Sequence, residues 1–179
     1  VICPDQPQLE TNDLRLVPYR PADLLALIEG VDTFRDSFGF AAADGLRGFL
    51  LGPEIASGYV EMLGSSSEPD VWRHGFAVVD RGRQVVAGNA AFVGPPDEDG
   101  AVEIAYAIVP EFEGRGYATQ VATALTEFAL ADERVTCVYA HTLPEKNAST
   151  RVLEKNGFTF AGEVRHPEDG LIWRWERPR

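Results

Sequence analysis

Residues Glu113-Gly114-Arg115-Gly116-Tyr117-Ala118 form a small-residue loop that feeds directly into a helical apolar pattern. Glycines let a backbone approach a ligand closely, and the unpaired N–H groups of a first helical turn, with the positive end of the helix dipole, suit a pyrophosphate. The same spacing also fits a plain tight turn. Two other phosphate loops are disfavoured, because Gly116 is followed by Tyr117-Ala118 rather than Lys-Ser or Lys-Thr, and no Gly-x-Gly-x-x-Gly occurs. A second chemical signal is Glu103, the one charged residue between Ala101 and Val109. A carboxylate partly stripped of water in such a run is suited to collect a proton; the blander readings are a strand's solvent end or an ion pair. Further on, Asn147 and Ser149 open a helical segment, where such residues either cap the helix or meet a ligand. His141 ends a strand, where it either helps to bind substrate or, unpartnered in a loop mouth, is incidental. Arg151 and Lys155 are either solvated helix charges or partners for anionic groups.

These residues need a scaffold, and the apolar spacing supplies one. Leu14 to Pro18 alternates as a first strand, and Pro21-Ala22-Asp23 opens a helix that carries Leu24, Leu25, Leu27 and Ile28 and stops at Gly30. From Val31 to Gly64, glycines at 39, 45, 48, 52 and 58 divide short apolar runs into one or two short helices rather than strands, and residues 65–70 read as a polar loop. Gly75 to Val79 and Gln84 to Val93 read as a hairpin, and Ala101 to Val109 as a central strand covered on both faces. Apolar residues at 118, 121, 122, 125, 128 and 129 then mark one stripe of a helix. A strand from Thr136 to His141, a helix from Asn147 to Lys155 capped by Asn156-Gly157, and runs at 158–164 and 171–175 complete an α+β domain with a mixed sheet.

The 179 residues, 45% apolar and 25% charged, suit one globular domain. No run of about 18 apolar residues or signal-peptide order appears, so no membrane partner is expected and the cytoplasm is the expected compartment. A net charge of -12, from 28 acidic against 16 basic residues, repels nucleic acid and favours cationic small molecules or basic peptides, although such charge also serves solubility. Of the two cysteines, Cys3 lies in a loose terminus and Cys137 reads as a buried thiol, so neither a disulfide nor a metal site is expected.

Val102-Glu103-Ile104-Ala105-Tyr106-Ala107-Ile108-Val109-Pro110, followed by Glu-Gly-Arg-Gly-Tyr-Ala, resembles the acetyl-CoA signature of the GNAT superfamily. The segment from Asn147 to Phe158, and Leu9-Glu10-Thr11 before the first strand, are similar to its ribosomal-protein N-terminal acetyltransferase-like branch. The likeness implies one acetyl-CoA-dependent domain over residues 9–177 behind a loose segment at 1–8. Its fold would be a mostly antiparallel twisted sheet splayed at the centre, between the strands at 101–109 and 136–141, with flanking helices. It also implies that Ile108, Val109, Gly114, Arg115, Gly116, Tyr117, Ala118, Thr119, Asn147 and Arg151 contact acetyl-CoA, with the pantetheine arm in the splay. A homodimer is a further expectation from the branch.

The resemblance also implies the reaction, acetyl transfer to the primary amine of a peptide or small molecule. An ammonium cannot attack a thioester: an alkyl amine of pKa about 10.4 is roughly one part in 2,500 neutral at pH 7, an α-amine of about 7.7–8.0 a tenth to a sixth. Glu103, at a position usually Glu in the branch, is the expected base. The leaving thiol, of pKa about 8.5, needs little help, and Ser149 sits where the branch suggests a hydroxyl near the sulfur. Two positions depart from the family pattern. Glu113 stands where Gln or Arg is usual, and Leu153 where many members carry a tyrosine proposed to protonate the thiolate. Those departures leave room for an acyl-CoA-binding module without catalysis.

Overall fold

The computed structural model describes residues 7–49, 57–66, 68–167 and 170–179. The first six residues of the expected loose segment, Cys3 among them, lie outside the described residues, as do Gly52 and residues 168–169.

The chain runs β1 (Leu9–Glu10), β2 (Leu14–Pro18), α1 (Pro21–Glu29), α2 (Val31–Phe38), β3 (Ala41–Ala42), α3 (Ser57–Ser65), α4 (Val71–His74), β4 (Phe76–Asp80) and β5 (Val85–Phe92). It continues through β6 (Ala101–Ile108), α5 (Tyr117–Ala131), β7 (Cys137–Thr142), α6 (Ala148–Lys155), β8 (Thr159–His166) and β9 (Gly170–Pro178). Two 3-10 turns, Leu46–Phe49 and Pro110–Phe112, punctuate it. The strands lie in the order β1-β2-β4-β5-β6-β7-β9-β8, antiparallel except for β6 beside β7 and for β3 beside β5. This is the mixed, mostly antiparallel sheet with flanking helices that the sequence implies.

The two sheet faces are covered by different helices. Phe76 and Phe92 turn to the face under α5, where Phe128 meets both rings at 6.1 and 5.8 Å. Val121, Leu125 and Ala129 of α5 are fully buried, which makes the stripe read from the sequence the helix's core face. On the other face Tyr19 packs against Phe34 and Phe38 of α2.

Several details differ from the sequence reading, beginning with β1, which precedes the expected first strand and pairs Leu9 and Glu10 with Leu16 and Arg15, and with β8 and β9, which run on to His166 and Pro178. Among its described residues the stretch after Val31 holds two helices and a 3-10 turn, but also β3, two residues pairing Ala41 and Ala42 with Val85 and Val86. No local alternation can announce so short a contact. The polar loop runs into α4, one turn started by the Asp70 carboxylate accepting from the Trp72 amide, too brief for a helical period to show. The strand expected from Thr136 begins one residue later and includes Thr142. And β6 is not covered on both faces along its whole length: Val102 and Ile104 are buried, whereas Ala105 is exposed and Tyr106 to Ile108 are half-buried. The reason is its neighbour. β7 pairs with β6 only at Ala101, Val102 and Glu103, and beyond Glu103 opposite Tyr139 the two strands part.

Candidate functional site

The fork between β6 and β7 sets the geometry. Backbone N–H and C=O groups alternate sides along a strand. The Glu103 carbonyl accepts from the Val93 amide and the Val109 amide donates to Ala87, so odd-numbered residues of β6 face β5. Tyr106 and Ile108 therefore turn their backbone groups toward the fork. Side chains alternate too. Glu103, Ala105 and Ala107 share the face opposite α5, and Ala105 lies beside Ala91. A lane floored by small side chains leads along that face from the Glu103 carboxylate to Ala107.

Ala107 borders a groove of about 570 Å³ between the end of β6, the loop after it, the start of α5 and one side of α6. Gly114 and Gly116 lie on its wall at φ +74 and +77, the left-handed region that glycine alone adopts without strain, and a Cβ on either would meet no protein atom within 4 Å. Space is therefore open beside both residues. Gly116 ends the loop without any side-chain cap, and the first amide to find a helical carbonyl is that of Gln120, bonded to Gly116. The N–H groups of Tyr117, Ala118 and Thr119 stay available, at the positive end of a fifteen-residue helix. Donors of this kind, beside room left by missing side chains, fit a pyrophosphate. Arg151 and Lys155 of α6 stand on the opposite wall.

The width of the groove is held by Asn156, buried at the end of α6. Its Oδ1 accepts from Thr123 of α5 at 2.6 Å, and its Nδ2 donates to the Val152 carbonyl at 2.9 Å. Gly157 follows at φ +77, which makes it the left-handed residue of the expected cap.

Of the residues singled out in the sequence, Ile108, Gly114, Gly116, Tyr117, Ala118, Thr119, Ser149 and Arg151 meet in this groove. Ser149 is exposed on its wall and is not the cap of α6; Asn147 is, its Oδ1 accepting from the Thr150 amide while Thr150 Oγ1 accepts from the Asn147 amide. Val109 is fully buried, and Arg115 lies over the Phe112 ring at 5.3 Å; neither lines the groove. Glu113, the departure from the family pattern, is exposed on its rim, and Leu153 is buried in the core.

Glu103 stands at the head of the fork, its side chain 20% exposed, with Oε1 2.8 Å from Nδ1 of His141. His141 is thus partnered, contrary to the sequence reading, because β7 carries it to the same face two residues past the rung Glu103 shares with Tyr139. Its Nε2 is buried without a partner among the described residues. Arg174 covers the Tyr139 ring at 3.8 Å and donates from Nε to Glu176 at 2.7 Å. Burial, followed by the nearby Glu103 charge, raises the Tyr139 phenol above its usual range. Asn89 is another residue the sequence reading missed. It faces Ala107 from β5, accepts the Tyr19 hydroxyl at 2.6 Å and keeps a buried, unpartnered Nδ2. The signal was present, since Asn89 is the one polar side chain in β5 as Glu103 is the one charged side chain in β6.

Comparison with known proteins agrees with this geometry. The uncharacterized N-acetyltransferase YjdG of Bacillus subtilis is 32% identical over 92 residues, half of this chain and 55% of that protein. The chain thus aligns with about half the length of that curated relative. A ribosomal L7/L12 alpha-N-protein acetyltransferase solved with coenzyme A superposes with a TM-score of 0.66 at 16% identity, over 96% of this chain and 98% of the other. The ribosomal-protein-S5-alanine acetyltransferase of Vibrio fischeri gives 0.66 at 13% identity, over 97% of each. At such identities the two structures speak for the fold alone. The family model for the acetyltransferase (GNAT) domain matches residues 13–159, from β2 through the fork, the glycine loop and α6, and on that match the chain belongs to the GNAT acetyltransferase family.

Proposed function

We propose that the chain transfers an acetyl group from acetyl-CoA to a primary amine, a peptide N-terminus or a small-molecule amine, by direct attack within a ternary complex. The observation that carries this reading is the position of Glu103, a carboxylate at the point where β6 and β7 part, joined by a lane of alanines to a groove with free helix amides. The amides of Tyr117, Ala118 and Thr119, with room at Gly114 and Gly116, take the pyrophosphate, while Arg151 and Lys155 neutralise phosphate charge. The pantetheine arm enters the fork along the backbone of Tyr106 and Ile108. Val109, Arg115 and Asn147 support the site from behind the groove wall, and the exposed Glu113 carboxylate turns to solvent.

In the reacting complex the amine nitrogen attacks the thioester carbonyl carbon, its proton passes to Glu103, and the C–S bond breaks to release the CoA thiolate. Ser149, exposed on the groove wall, supplies a hydroxyl for the departing sulfur. Leu153 gives no such help from the core, and a good leaving thiolate needs little.

The test is release of free CoA from acetyl-CoA in the presence of peptide N-termini, aminoglycoside-type antibiotics, polyamines and amino acids. Amine-dependent release with at least one class is expected. Tight binding of acetyl-CoA with no release across all four would turn the reading to a non-catalytic acyl-CoA-binding module.

A further inference from the structure

Tyr117 does two things at once. Its backbone N–H is the first of the free amides at the start of α5, and its side chain, 8% exposed, runs away from the groove. The ring packs 6.2 Å from Phe112, and the hydroxyl donates to Oδ2 of Asp80 at 2.6 Å. Asp80 is 4% exposed at the end of β4, two strands away from β6, and its Oδ1 accepts from the amides of Gly82 and Arg83, each at 2.8 Å. Packing alone does not call for this arrangement. A phenylalanine would fill the same space, and burying a carboxylate costs free energy unless its oxygens are met by donors, as all three donors here do.

The turn that holds Asp80 reaches the glycine loop a second time. Arg83 pairs with Glu111 at 2.5 Å and lies 4.9 Å from the centre of the Phe112 ring, while Arg115 lies at 5.3 Å from the same ring. The segment from Pro110 to Tyr117 is thus tied at its beginning and its end to the β4–β5 turn. Glycines at 114 and 116 make that segment pliable between the ties, so the orientation of its amides depends on where the ties hold it.

We propose that Asp80, acting through Tyr117, is a positioning residue for the diphosphate of the acetyl donor: it fixes the first turn of α5 so that the free amides converge on the phosphates. The inference rests on the acetyl-CoA reading of the groove. It assigns a donor-binding role to a residue at the far end of a strand that touches no part of the groove.

The experiment compares acetyl-CoA with acetyl-pantetheine, which carries the thioester and the arm but no diphosphate. Calorimetric affinities are measured for both with the native chain, Tyr117→Phe, Asp80→Asn and the double variant. Each single variant should weaken acetyl-CoA about fivefold to twentyfold, the size of one misplaced charge-assisted contact, and should leave acetyl-pantetheine within twofold. The double variant should be no weaker than the worse single, because both substitutions break one link. Equal losses for the two donors would mean general damage to the fold and overturn the proposal, as would unchanged acetyl-CoA affinity in Tyr117→Phe or additive losses in the double variant. Tyr117→Phe keeps the packing, and a circular-dichroism melt checks that each variant is folded. A native chain that binds neither donor would defeat the acetyl-CoA reading itself; a native chain that binds both while the variants match it would defeat the positioning role alone.

Discussion

Nδ1 of His141 and Oε1 of Glu103 stand 2.8 Å apart on a diagonal across the last rung that β6 and β7 share. The two groups share one hydrogen bond, and the strand that carries the imidazole is not the strand that carries the carboxylate. The pair therefore fixes the carboxylate's direction at the place where the sheet opens. Arg174, lying over the Tyr139 ring, and Glu176 complete the polar surroundings on that face.

Replacing Glu103 by Gln keeps its shape but removes the proton acceptor. Turnover should fall by about 10²–10³ at pH 7, with acetyl-CoA affinity kept within severalfold. Raising the pH toward about 9.5 should partly restore the variant, more for an alkyl amine than for an α-amine, since solvent then supplies more neutral amine to the first. Steady-state pH profiles with both amine types check this. A defect constant across that range would place Glu103 in structure or binding.

His141→Ala removes orientation and leaves the carboxylate, so a loss of about tenfold or less is expected, with the preference between the two amine types unchanged. His141→Asn, which keeps a donor near the Nδ1 position, should recover part of it. A loss matching that of Glu103→Gln would make the imidazole the proton acceptor instead.

Acetyl-CoA should raise the melting temperature with the logarithm of its concentration once that exceeds Kd, as ligand linkage requires, and Gly116→Val should weaken that rise. Its Cβ would meet no protein atom within 4 Å, but the residue must adopt a φ of +77, which a β-branched side chain tolerates badly. Thermal shift with and without acetyl-CoA reads both effects. Identical shifts in the two proteins would remove the glycine loop from the donor site.

Ser149→Ala should cost no more than about tenfold in turnover, because thiolate departure needs little assistance. Stability should hardly change, since Asn147 and not Ser149 caps α6. A thousandfold loss would show that the hydroxyl protonates the thiolate.

Burial opposes the charge on Asp80, yet the Tyr117 hydroxyl and the Arg83 and Gly82 amides outweigh it and hold the carboxyl below its usual range. The folded chain thus binds this proton less readily than the unfolded chain. Its contribution to stability is present above the usual aspartate value of about 3.9 and is lost as the pH falls through the lower folded value. The native melting temperature should drop more steeply below about pH 4 than that of Asp80→Asn, a difference that acid-range melts measure directly. Parallel curves would mean that the pair contributes nothing to folding.

The elements of this fold were legible wherever a segment was long enough to show its own period. The stripe of α5, the hairpin of β4 and β5 and the Asn156-Gly157 end of α6 depend on neighbours in sequence, and the structure has them where the pattern does. The same holds for the glycine loop. What was not legible is what the sheet brings together from afar. His141 meets Glu103 across 38 positions and Tyr117 meets Asp80 across 37, and neither pairing leaves a local trace. The exposed half of β6 left no trace in its own apolar run, which looks alike whether its flank is covered or open; the family resemblance alone implied the splay there.

Three rungs are all that join β6 to β7, so the sheet is two ladders sharing a short stretch of rail, with the backbone groups of Tyr106 and Ile108 left facing a gap. A donor arm lying in that gap would act as a temporary rung. The amides of Tyr106 and Ile108 should then exchange with solvent quickly in the free protein and slowly once a donor is bound. Opening of the two ladders, largely independent beforehand, should become a single cooperative event.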